Sequence, residues 1–203
     1  MNPRREKTTE MIPSTAPFQL TVERGGMTKR TYRVVGDLEG EFVRTARSPS
    51  TFELTIGGEV AAVATEQDVD AGESSLRAMA RAAAGAYELR DADGASIGVV
   101  AVDPKGVLLR SRMTIELADG RRISGVERSA SKAFGRRAWG LMTLVVDVPN
   151  PVRSPVVFTD PAGVELFQVD PLRVAGTAQL HVTGQGQVDL VVASFAAVLL
   201  DSP

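Results

Sequence analysis

Apolar and polar residues alternate with a period of two along most of the chain, and turn residues interrupt that alternation at regular intervals. In AYELRDADGASIGVVAVD (86–103), Tyr87 and Leu89 alternate with polar neighbours, Asp91-Ala92-Asp93-Gly94 supplies a turn, and Ile97, Val99 and Ala101 resume the alternation. Such a pattern around Asp-Gly predicts a β-hairpin, because Asp and Gly tolerate the positive φ of primed turns. The unit recurs around Asp119-Gly120, between Met113, Ile115, Leu117 and Ile123, Val126. It recurs again around Asp160–Gly163, between Val156, Phe158 and Val164, Leu166, Val169. Two weaker copies lie upstream. Tyr32 and Val34 lead to a turn at Asp37–Gly40 and then Phe42; Phe52, Leu54 and Ile56 lead to Gly57-Gly58 and then Val60 and Val63. Five hairpins give ten strands, and Phe18–Arg24 and Leu141–Val148 raise the expected total to about twelve. Short strands at even spacing with Gly turns predict an antiparallel sandwich or barrel.

Two segments break this rhythm. Glu73–Ala84 places Leu76, Met79, Ala80 and Ala83 on one helical face, with Ser74 as N-cap and Gly85 just past the end, which predicts a short amphipathic helix. Val188–Leu200 (VDLVVASFAAVLL) is apolar apart from Asp189 and Ser194 and has no polar face. A segment apolar on every side must be buried. Its length and alanine content favour a helix threading a barrel over a last buried strand. Residues 1–14 are polar and unpatterned and are expected to form a disordered tail, with one domain over 15–203.

The Asp-Gly hairpins at Asp91–Gly94, Asp119-Gly120 and Asp160–Gly163, followed by the closing Val188–Leu200 run, resemble the tubby C-terminal-like superfamily, in its LURP-one-related and scramblase-like branch. The resemblance is strongest over 84–203. It implies a closed antiparallel β-barrel of about twelve strands wrapped round a buried hydrophobic C-terminal helix. Tubby-type barrels dock phosphoinositide head groups on basic residues, scramblase-like members contact membranes and calcium, and LURP-one members largely lack an assigned activity. No membrane-anchoring run follows the helix here, so lipid scrambling is not expected. No basic motif of the tubby proteins maps onto particular residues, so the resemblance supplies no site.

Composition removes several chemistries. The 203 residues contain no Cys and one His, with 43% hydrophobic and 24% charged residues and a net charge of -2. Disulfides, thiolate metal sites and cysteine nucleophiles are therefore excluded. His181 stands in AQLHVTG with no Gly-x-Ser-x-Gly elbow and no companion pattern of a hydrolase, which reads as a strand histidine. Asp91-Ala92-Asp93-Gly94 starts like a calcium loop, yet Ser96 and Val102 occupy the positions where an EF-hand needs Gly and Glu. Neither Gly57-Gly58 nor Gly184-Gln185-Gly186 is followed by a phosphate-loop pattern. No metal, no cofactor and no enzymatic activity are expected. The N-terminus lacks the apolar core of a secretory signal, and no run reaches the roughly 20 apolar residues of a membrane span, so a cytoplasmic protein is expected.

Charge supplies the one candidate site. Residues 103–153 carry ten basic and five acidic side chains, whereas the flanking stretches 59–102 and 154–203 are acidic. Arg110 and Arg112 share parity on one strand, Arg121 and Arg122 open the next across a tight turn, and Arg128, Lys132, Arg136 and Arg137 follow, with Phe134 and Trp139 interleaved. Guanidinium groups chelate phosphate and carboxylate. The expected function is a binding module that docks an anionic ligand, such as a phospholipid head group or an acidic protein, on this basic face. The alternative is a structural or protein-interaction barrel with no ligand. An acidic chain (pI ≈ 5.6) does not suggest a nucleic-acid partner.

Overall fold

A computed structural model describes residues 13–14, 16–25, 31–47, 49–67, 85–103, 112–128, 154–174 and 177–201. Among the described residues, the alternation read from the sequence becomes fourteen strands and one helix. These are β1 (Pro13–Ser14), β2 (Phe18–Gly25), β3 (Thr31–Gly36), β4 (Gly40–Arg47), β5 (Ser50–Ile56), β6 (Glu59–Glu66), β7 (Ala86–Asp91), β8 (Ser96–Asp103), β9 (Arg112–Leu117), β10 (Arg122–Glu127), β11 (Val156–Thr159), β12 (Glu165–Val174), β13 (Thr177–Gly184), β14 (Val188–Asp189) and α1 (Leu190–Asp201). Strands β2 to β13 form a closed barrel in which every pair is antiparallel. Each strand pairs with its neighbour in sequence, except that β13 pairs with β2 and so joins the two ends of the ring, with Leu180 opposite Val22.

All five expected hairpins are present, as β3–β4, β5–β6, β7–β8, β9–β10 and β11–β12. The remaining two barrel strands are β2, expected from Phe18–Arg24, and β13. Leu141–Val148 and the helix expected at Glu73–Ala84 lie outside the described residues. The three Asp-Gly turns differ from the primed turns expected of them. In each, only glycine has a positive φ (Gly94 83°, Gly120 84°, Gly163 84°), and three residues span the strands. The Gly94, Gly120 and Gly163 amides donate to the carbonyls of Asp91, Leu117 and Asp160, and the loop closes through Asp91 N to Ala95 O, Leu117 N to Arg121 O and Asp160 N to Val164 O. This is a three-residue loop ending in a left-handed glycine. Gly57 and Gly58, both at positive φ, do make the two-residue form.

Successive strand residues point to opposite faces, so one parity of each strand faces inward. Leu20, Val34, Phe42, Leu54, Leu89, Ile115, Phe158, Val169 and Val182, among others, form one buried cluster with α1. The helix lies within that cluster with every residue from Leu190 to Leu199 buried. At 1.5 Å per residue it is about 18 Å long, which matches the height of the surrounding strands. Phe158 and Phe167 stack at 4.2 Å across β11 and β12. Gly125 and Gly184 are inward positions where a methyl group would meet the rings of Phe158 and Phe18.

The helix begins at Leu190, two residues later than the sequence suggests. Val188 and Asp189 pair instead with Ser14 and Pro13, so β1 falls at the end of the stretch expected to be a disordered tail. The Asp189 carboxylate then accepts from the Val191 amide at 2.7 Å, an N-cap that satisfies one of the free donors of the first turn. At the other end of α1, buried Asp201 lies 3.9 Å from Arg24 and accepts a long hydrogen bond from the Tyr32 hydroxyl. The outward positions carry Glu23, Arg33, Glu41, Glu53, Glu88, Arg90, Glu116 and Arg122, none of them buried. That polarity is the reverse of a membrane-spanning barrel, whose outer band is apolar. Among the described residues, no helix is long and apolar enough to cross a membrane.

Candidate functional site

Antiparallel pairing sorts the connections by end. The five hairpin turns expected from the sequence, at 37–39, 57–58, 92–95, 118–121 and 160–164, lie at one end of the barrel, where α1 also begins, while Arg47 and Ser50, which close the β4–β5 hairpin, lie at the other. The strand ends that border 26–30, 67–85, 104–111, 128–155 and 175–176 lie at the other, where α1 finishes at Asp201.

The basic residues of β9 and β10 divide between these ends. Arg112 opens β9 and pairs with Asp103 on β8 and Val126 on β10. Arg122 pairs with Glu116, four positions further along β9, or about 13 Å at 3.3 Å per residue. Arg121 and Arg128 bracket β10 and stand about 23 Å apart on the same measure. The structure therefore brings Arg121 and Arg122 together at the turn end, and Arg112 and Arg128 together at the opposite end. Arg110, Lys132, Arg136 and Arg137, with Phe134 and Trp139, lie outside the described residues.

Each described arginine whose side chain is placed has its own surroundings. The Arg121 guanidinium donates to the Asp119 carboxylate at 2.6 Å and to the Gln187 carbonyl at 3.4 Å, tying the β9–β10 turn to the chain that leads into α1. The Arg121 backbone amide also donates to Asp119 at 2.9 Å. This amide bond, then the guanidinium bond, holds the Asp119 carboxyl below its ordinary value of 3.8, although both side chains are well exposed. Arg122 is exposed and faces the exposed Glu116 across the strands. Arg128 is exposed; its guanidinium donates to Gln168 at 3.3 Å, and Gln168 in turn donates to Asp170.

That last contact continues into a polar row on the outer face, since Asp170 on β12 is opposite His181 on β13, which is opposite Thr21 on β2. His181 is thus a half-buried strand histidine on the outer surface. In the β7–β8 turn, Asp91 accepts from the amides of Asp93 and Ala95, so its carboxylate holds the hairpin. No group of three or more His, Asp or Glu among the described residues could hold a metal ion. Sequence reasoning missed Glu127, which is fully buried at the inward end of β10. Its parity with Ile123 and Gly125 was the signal that could have found it.

Fold and surface together define the class, an antiparallel twelve-stranded β-barrel filled by its own C-terminal helix. Compared with protein families, curated proteins and solved structures, the chain matches none.

Proposed function

We propose that the barrel is a non-enzymatic binding module that docks an anionic ligand at the end of β9 and β10 where Arg112 and Arg128 stand. The observation that carries this reading is the occupied interior. With α1 filling the barrel, recognition falls to the outer surface, and the strand ends at this side border two segments in which base exceeds acid: Lys105 and Arg110 in 104–111, and Lys132, Arg136, Arg137 and Arg153 in 129–153. Arginine pairs with phosphate or carboxylate through two parallel hydrogen bonds, so such a cluster suits a phospholipid head group or an acidic protein surface. The architecture is also the one implied by the resemblance to the LURP-one-related and scramblase-like branch, and we keep membership of that branch as part of the proposal.

Co-sedimentation with phosphatidylserine-containing vesicles tests the reading. Binding at low salt should be lost in Arg112→Ser/Arg128→Ser and kept in Arg122→Ser, with phosphatidylcholine vesicles as the neutral control. Unchanged binding in the double variant would contradict it.

The alternative is a structural or interaction barrel with no ligand. The bonds of Arg121 to Asp119 and of Arg128 to Gln168 favour it, because both guanidinium groups engage their own chain. Absence of vesicle binding, together with self-association in sedimentation velocity, would support that alternative.

A further inference from the structure

We infer that the barrel is electrostatically polarised along its axis, so that it meets an anionic phospholipid bilayer with its hairpin turns pointing away. The inference rests on the proposed anion-docking function and adds an orientation to it. The five hairpin turns and the strand residues bordering them carry Asp37, Glu39, Glu59, Asp91, Asp93, Asp119, Asp160 and Glu165. Against these eight acids stand Arg121 and Arg122, both in the β9–β10 turn, where Arg121 is already paired with Asp119. Arg90 also reaches the β7–β8 turn, where its guanidinium donates to the Gly94 carbonyl at 2.8 Å and pairs with Glu88; the β3–β4, β5–β6 and β11–β12 turns carry acid alone. Among the described residues at the opposite strand ends the balance changes: by backbone position, Arg24, Arg47, Arg112, Arg128 and Arg173 stand with Glu66, Asp103 and the buried Glu127 and Asp201.

Several of the acids have a local reason to be there. Asp91, Asp119 and Asp160 each accept a backbone amide that shapes a turn, and Asp37 accepts the Gln19 amide of β2. Glu39, Glu59, Asp93 and Glu165 are exposed, and their side chains hold no turn together. The rim therefore carries more negative charge than hairpin formation requires. Strands mostly of six to eight residues, tilted by about 40°, separate the two ends by ~15–20 Å. That is about twice the Debye length of ~8 Å at physiological salt. An acidic rim at that distance is screened from a membrane touching the other end, but is strongly repelled if it faces the membrane. A bilayer is the partner for which this polarity matters, because charge spread round a whole rim acts in concert only against an extended plane. A small acidic protein would sense only the side chains it touches.

Single cysteines test the orientation, since the chain has none of its own. Ala92→Cys and Ala162→Cys report on the turn end; Thr45→Cys and Gln67→Cys report on the other end, and all four positions are exposed. Each variant is labelled with a fluorophore and mixed with phosphatidylserine-containing vesicles that carry head-group quenchers. Quenching is expected at positions 45 and 67 and absent at 92 and 162. A variant with Glu39→Gln, Glu59→Gln, Asp93→Asn and Glu165→Gln, checked for an unchanged melt, should bring the two ends within twofold of each other. Binding with equal quenching at both ends, or with stronger quenching at the turns, overturns the orientation while leaving anion docking intact. An unchanged pattern in the neutralised variant overturns the electrostatic cause. No vesicle binding by the unaltered barrel removes the docking function and this inference with it.

Discussion

The ring of Phe195 on α1 meets the ring of Phe42 on β4 edge to face, with centroids 4.8 Å apart and planes at 80°. Both residues are fully buried, so the contact joins the helix to the barrel wall at the centre of the core. Truncating Phe195→Ala removes the ring from a site whose neighbours are held by sheet hydrogen bonds and cannot collapse inward. We expect a loss of about 3–5 kcal/mol, read from urea unfolding. Phe195→Leu should cost clearly less. Equal melting of Phe195→Ala and the parent chain would show that the helix is not enclosed.

Gly125 makes the reverse case. A methyl group there would enter the ring of Phe158, and that ring is stacked on Phe167 and has little freedom to turn. Gly125→Ala should destabilise by roughly 1–3 kcal/mol. Adding Phe158→Leu should recover part of the loss, a coupling that a double-mutant cycle measures directly.

Asp189 caps α1 through the Val191 amide. Asp189→Ala should cost about 0.5–2 kcal/mol, whereas Asp189→Asn keeps an oxygen in place and should cost much less. Thermal melts of the two variants side by side distinguish the lost cap from a general effect of charge.

Asp119 should titrate below its ordinary value of 3.8, because the Arg121 amide and then its guanidinium favour the ionised carboxylate. The folded value is the lower one, so any contribution to stability is present above 3.8 and is lost as pH falls through the depressed folded value. Carbon-detected NMR titration should show the low midpoint. Arg121→Ala should move it back toward the ordinary value without restoring it fully, since the backbone amide remains.

The barrel was legible in the sequence because its turns are local. A left-handed glycine between two alternating runs commits the chain to a hairpin before any tertiary contact forms. The helix was legible because a segment with no polar face admits few environments. Its first residue was not, since Val188 and Asp189 leave the helix to pair with Pro13 and Ser14, partners distant in sequence. The turn type was misjudged for a smaller reason. The strands are bridged by three residues, so the residue before each glycine (Asp93, Asp119 and Ala162) need not adopt positive φ. The basic set was legible as composition but not as a site. Residues flanking a turn adjoin only when equally distant from it, so Arg112 faces Val126 and stands well away from Arg122.

The pairing of β13 with β2 has a consequence for the order of events during synthesis. Eleven strands can zip up pairwise as they leave the ribosome, yet β2 keeps an open edge until β13 arrives, and the ring stays hollow until α1 follows. Contacts of such sequence separation delay folding and leave unpaired edges exposed in the meantime. A nascent chain stalled before Thr177 should therefore recruit chaperones and resist native-like compaction.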